Sequence, residues 1–129
     1  MIYLDTSVAL AHLLAEDRHP PATLWEHTLV SSRLLEYELW TRVHARGLEK
    51  THGDAVQALL GRIAFLEMIP EILMRAMRPF PAPVRTLDAL HLASLEFMLE
   101  QGQSAELASY DERMLAAARV LSFEIFALD

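Results

Sequence analysis

Short apolar runs alternate along this chain with segments of helical length, and that alternation restricts the fold more than any other feature. IYL (2–4), LVSS (29–32), EMI (67–69), ELASY (106–110) and FEIFAL (123–128) read as strands. Between them, SVALAHLLAED (7–17), RLLEYELWTRVHAR (33–46) and TLDALHLASLEFMLEQG (86–102) have the length and apolar spacing of helices, as do EILMRAMRPF (71–80) and DERMLAAARV (111–120). HPPATLWEHT (19–28) carries proline into the first turn of a further helix, where the missing N–H costs nothing. THGD (51–54) has a capping-box pattern and opens another helix to about Glu67, while Gly47 and Gly102 are C-terminal stops.

Strands separated in this way are too far apart for hairpins and need crossover helices, which places the strands parallel. The expected architecture is α/β: a doubly wound, mostly parallel central sheet flanked by helices, in one domain spanning residues 1–129. PFPAPVR (79–85) is a proline-rich loop, too short for a domain linker. Sheets of this kind bind ligands at the carboxyl ends of their strands, so polar residues there carry the functional signal.

Four carboxylates fall where that rule directs attention. Asp5 follows the first strand and Asp111 follows ELASY; alone, each is a good helix N-cap. Ser109 and Glu112 form an S-x-x-E box, so the helix after Asp111 has a cap without it. Asp88 is the sharper anomaly: Leu92, Leu95 and Leu99 project within about 40° of it, which puts a carboxylate on an apolar stripe. Arg85 is its ready structural partner. Glu38 projects between Leu34 and Leu35, with Arg42 one turn on as a surface partner.

The chain has no cysteine, which excludes disulfides, thiolate metal sites and cysteine nucleophiles, and leaves oxygen and histidine as the only metal ligands. Carboxylates that converge raise one another's pKa and call for a cation; Mg²⁺ or Mn²⁺ suits oxygen ligands, and phosphodiester hydrolysis is the chemistry such a set serves. His91 reads as a packing or hydrogen-bonding residue, because hard cations favour oxygen. The formal net charge of −7 opposes nonspecific binding of nucleic acid but leaves a cation-bridged nucleic-acid enzyme open. The start MIYLDTS has no basic leader, and no apolar run nears the roughly 20 residues a membrane span needs, so a cytoplasmic protein is expected.

YLDTSVAL, SSRLLEYELWTR, RTLDALHLA and ASYDERML together resemble the PIN-domain ribonucleases, and in particular the VapC-type toxins of toxin–antitoxin pairs. The resemblance spans nearly the whole chain, and LDALHLA followed some twenty residues later by SYD is its most specific part. It implies that Asp5, Glu38, Asp88 and Asp111 surround Mg²⁺ or Mn²⁺, with Thr6 or Ser7 and Ser109 as polar supports. It also implies cleavage of transfer or ribosomal RNA, inhibition by a cognate antitoxin, and a homodimer. Two other classes compete: a nuclease-like binding module without activity, and a phosphoacceptor receiver domain. The receiver reading wants a lysine at the end of the last strand, whereas the sole lysine, Lys50, falls between two predicted helices.

Overall fold

The computed structural model describes all 129 residues. Its centre is a four-stranded sheet of β1 (Ile2–Leu4), β2 (Leu29–Ser32), β3 (Ile63–Leu66) and β4 (Glu106–Ala108), ordered β3-β2-β1-β4, with every pairing parallel. Six helices accompany it: α1 (Thr6–Leu13), α2 (Arg33–Ala45), α3 (Glu49–Leu60), α4 (Pro70–Ala76), α5 (Thr86–Glu100) and α6 (Glu112–Val120). No helix is long and apolar enough to cross a membrane.

Side chains alternate across β1 with the two-residue period of a strand, and the two faces feed separate cores. Ile2 and Leu4 pack with Val8 and Leu10 of α1, Leu35 and Leu39 of α2, and Val56 and Leu60 of α3. Tyr3 points the other way and packs with Leu92 and Leu95 of α5 and Met114 and Leu115 of α6. Both faces are therefore covered, which is why the strands read as continuous apolar runs.

The order of the strands locates the functional edge. From β1 the chain steps to β2 and then β3 on one side; it returns to place β4 on the other side of β1. The reversal between β1 and β4 opens a crevice at their carboxyl ends. Asp5 is the residue after β1, and Ser109 is the residue after β4. Its backbone N–H ties the two strand ends together by donating from Asp5 to Ala108 C=O at 3.0 Å.

Several elements depart from the sequence-based expectation. The third strand is Ile63–Leu66, not residues 67–69, because α3 ends at Leu60; α3 also begins at Glu49, so Thr51 lies inside the helix and Lys50 is its second residue. FEIFAL contributes one parallel bridge, Ile125 to Leu107, and no strand. The segment after His19 forms a short 3₁₀ turn, Ala22–Glu26, with Pro21 at its N-cap. Gly47 and Gly102 do end their helices, with φ of +65° and +86° in the left-handed region that a Cβ disfavours.

Candidate active site

Asp5 occupies the N-cap position of α1, with extended backbone, yet its side chain does not cap. The carboxylate turns instead to two hydroxyls: Ser7 Oγ donates to Oδ2 at 2.6 Å and Ser109 Oγ donates to the same oxygen at 2.8 Å. Each serine is fixed in turn, since Tyr110 N–H donates to Ser7 Oγ and Asp111 N–H donates to Ser109 Oγ, both at 3.0 Å. The expected supports Ser7 and Ser109 thus bear on one carboxylate, and neither Thr6 nor Ser7 takes over the cap.

Asp111 corrects the expectation that Ser109 caps the last helix. Its Oδ1 accepts from Arg113 N–H at 2.9 Å and Met114 N–H at 3.2 Å, so Asp111 is the side-chain cap of α6. Ser109 is already engaged with Asp5, one strand away. The second oxygen of Asp111 accepts from Arg85, whose Nε also reaches Asp88 Oδ2 at 3.2 Å. The Asp88–Arg85 pair is present, as the helix spacing indicated, and it is shared.

Asp88 sits in the first turn of α5 and is buried, as its place on the apolar stripe requires. Burial pushes its carboxyl above the ordinary value, and the nearby charges of Asp111 and Asp5 push it further; Arg85 opposes them without cancelling them. Asp111 goes the other way. Burial pulls its pKa up, but the Met114 and Arg113 N–H groups and the Arg85 guanidinium outweigh that and hold it low.

Glu38 lies on α2, in the helix after β2, whose start is capped by Ser32 Oγ accepting from Leu34 N–H at 3.1 Å. Its expected partner Arg42 makes no ion pair with it. Thr6 Oγ donates to Glu38 Oε1 at 2.9 Å, and His91 Nε2 meets the same oxygen at 2.8 Å. His91 Nδ1 is 2.9 Å from Tyr3 Oη, and the two rings pack edge to face. Burial lowers the His91 pKa, yet Glu38, Asp5 and Asp88 overcome it and the net direction is upward. His91 is a hydrogen-bonding residue, as expected; Tyr3, behind it, gave no sign in the sequence beyond the apolar strand it belongs to.

The four carboxylates therefore share the carboxyl edge of the sheet: Asp5 and Glu38 have separate partners, and Asp88 and Asp111 share Arg85. As the side chains lie, no three acid or histidine groups close on a common point that would hold a metal ion. The donor set fits a hard divalent cation in kind, being all oxygen, and the mutual repulsion felt at Asp88 is the electrostatic condition that a cation relieves. A larger cleft of about 880 Å³ lies beside it between α4, the proline-rich loop and α5, lined by Leu73, Met77, Phe80 and Val84, and it meets the acidic groups at Arg85.

The PIN domain family matches residues 2–120, which include all four carboxylates and every strand. The chain belongs to the PIN-domain family. Relatives similar to this PIN-domain chain include Ribonuclease VapC35 of Mycobacterium tuberculosis, 30% identical over 133 residues, covering 98% of this chain and 96% of the relative. Ribonuclease VapC46 of the same organism is 28% identical over 130 residues, with 98% and 96% covered. Ribonuclease VapC47 is 28% identical, with 95% and 93% covered. The PIN-domain assignment agrees with the parallel sheet and with the carboxyl-edge position of its acidic residues.

Proposed function

We propose that this PIN-domain chain is a Mg²⁺- or Mn²⁺-dependent endoribonuclease acting as the toxin of a toxin–antitoxin pair in the cytoplasm, with a cognate antitoxin, a transfer or ribosomal RNA substrate and a homodimeric assembly. What supports the reading is the linkage of three carboxylates along the β1–β4 crevice: Ser109, at the end of β4, donates to Asp5, and Arg85 bridges Asp88 and Asp111. The ribonuclease relatives along nearly the full chain supply the substrate class.

In this reading Asp5, Glu38, Asp88 and Asp111 hold the cation, which supplies charge stabilisation at the phosphoryl group and lowers the pKa of water. Ser7 and Ser109 keep Asp5 in one orientation, and Thr6 does the same for Glu38. Arg85 neutralises Asp88 and Asp111 from the solvent side and gives way, or turns toward a phosphate, when cation and RNA arrive. A binding module without activity is the second reading, favoured by the way each carboxylate is already engaged.

The test is cleavage of RNA by the purified chain with Mg²⁺ or Mn²⁺, beside Asp5→Asn and Asp88→Asn, with RNA 5′ ends sequenced after expression of wild type and Asp5→Asn. New 5′ ends that depend on Asp5 support the nuclease. No Mn²⁺ binding in a calorimetric titration, with no cleavage of cellular RNA, supports the binding module.

A further inference from the structure

We propose that His91 and Tyr3 form a buried positioning relay for Glu38, setting which carboxylate oxygen is left for the cation. The inference rests on reading Glu38 as a cation ligand and adds two residues to it. Neither residue touches the cation or the RNA in this account; both act through Glu38.

His91 is 1% exposed and Tyr3 is fully enclosed, so neither side chain has water to fall back on. Burial pushes the Tyr3 phenol far above its ordinary range, so it keeps its proton. Ser31 and Ser94, which lie near it, spend their own protons on the carbonyl oxygens of Leu4 and Leu90. A carboxylate oxygen only accepts, so His91 Nε2, which is 2.8 Å from Glu38 Oε1 and also has Thr6 Oγ at 3.2 Å, carries the hydrogen, and Nδ1 of the neutral ring accepts from Tyr3 Oη. Nε2–H then donates to Glu38 Oε1. A second proton on the ring leaves Nε2–H where it is and reverses only the contact behind it, Nδ1–H then donating to Tyr3 Oη.

Thr6 donates to that same Oε1, and Oε2 takes no hydrogen bond within the protein. One oxygen is thereby saturated and the other reserved. The network is also spread across the site: Tyr3 precedes Asp5 on β1, Thr6 follows it, and His91 stands one turn after Asp88 on α5. A histidine retained only to fill space needs neither a fixed tautomer nor a carboxylate shared with a second donor. No buried side-chain polar atom in the protein lacks a partner, so the relay is satisfied at every link.

Mn²⁺ binding by the purified chain, measured by the loss of the free-ion paramagnetic resonance signal, tests the relay through two substitutions. The amide nitrogen of His91→Gln falls near Nε2 and that of His91→Asn near Nδ1, so only the former keeps the donor toward Glu38. Positioning predicts that His91→Asn weakens Mn²⁺ binding by about 10- to 100-fold and that His91→Gln retains most of it. In a Glu38→Gln background, His91→Asn adds no further loss. Tyr3→Phe, which loosens the ring but leaves Nε2, gives a smaller loss.

Equal affinities for His91→Asn and wild type overturn the proposal, and so do equal losses in the Asn and Gln variants, the mark of a packing role. The wild-type chain carries an independent measurement for the case in which the variants do not fold. Its His91 ring shows nitrogen resonances of an Nε2–H imidazole or an imidazolium, and these shift on Mg²⁺ saturation but not in Glu38→Gln. Resonances of the Nδ1–H tautomer, or no response to Mg²⁺ while Mn²⁺ binds, overturn the relay alone. A wild type that binds neither ion overturns the cation reading of the site and the relay with it.

Discussion

The inner half of the candidate site, Asp5 and Glu38, is held by hydroxyls and an imidazole, whereas in the outer half Asp88 and Asp111, themselves no more exposed than Glu38, are bridged by one arginine that is 64% exposed. In the inner half every restraint is a short hydrogen bond from a neutral group or a histidine, shielded from water and built on strands and helix starts. In the outer half the shared restraint is an ion pair whose guanidinium lies at the surface, where solvent and salt compete with it, although Asp111 is fixed besides by the Arg113 and Met114 N–H groups. The inner half specifies geometry. The outer half tolerates rearrangement, which the proposed admission of a cation and a phosphate would need at one wall.

Breaking an inner carboxylate should have the largest effect. Asp5→Asn is expected to lower RNA cleavage by more than about a hundredfold, the scale on which single electrostatic contributors to a transition state act. Circular dichroism should show the wild-type fold; cleavage at the wild-type rate in the presence of a chelator would sink the metal-nuclease reading.

Ser109→Ala comes next and is read as stability. It takes a donor from Asp5 and an acceptor from the Asp111 N–H in one step, both in buried surroundings. A cost of about 1–3 kcal/mol is expected in the denaturant midpoint, typical of a buried group left unpaired. A midpoint equal to wild type would mean that water replaces the hydroxyl and that the inner half is wetter than it looks.

Asp88→Asn separates the halves by the sign of its effect. Asp88 has a folded-state pKa raised above its unfolded value, so its favourable contribution is present at acid pH and is lost as pH rises through the folded pKa. At neutral pH the ionised side chain therefore weakens the metal-free fold, and Asp88→Asn should melt a few degrees higher while losing cleavage. The gap should close as pH falls through the raised pKa of Asp88, below which the wild-type side chain is protonated as well. Asp111 runs the opposite way: its lowered pKa contributes stability above the unfolded value that is lost as pH falls through the folded one. A lower melting temperature for Asp88→Asn across this range would show that the Arg85 pair outweighs the repulsion.

Arg85→Gln should change stability least. Its guanidinium is solvent-exposed, so a small drop in melting temperature is expected at low salt and none at about 0.5 M, where screening is strong. A large, salt-insensitive drop would place Arg85 with the inner half.

Much of the site was legible because its residues stand at places where local physics already speaks. A carboxylate after an apolar strand, or on an apolar stripe, conflicts with its surroundings, and the conflict shows without a structure. The resemblance of four motifs to the PIN domain then ordered them. The third strand was misplaced because apolar spacing runs on past Leu60 into IAFL, and a three- or four-residue strand has too few residues to announce its own period. FEIFAL has a strand's composition, but its pairing is confined to one residue of β4, Leu107, which bonds to Glu124 C=O and Phe126 N–H.

By itself, then, the sequence determined an α/β chain with a parallel sheet and carboxylates at the strand ends, because periodicity and capping act over a few residues. Only the tertiary structure decided which group restrains which carboxylate. Ser109 reaches Asp5 across 104 positions, and Tyr3 reaches His91 across 88. Those partners follow from β4 lying beside β1 and from α5 covering the face where Tyr3 points. Asp111 became a cap for the same reason: Ser109, an equally good candidate by local rules, was drawn away by a carboxylate on the neighbouring strand. A local preference yields when a buried charge at the end of the neighbouring strand offers a stronger partner.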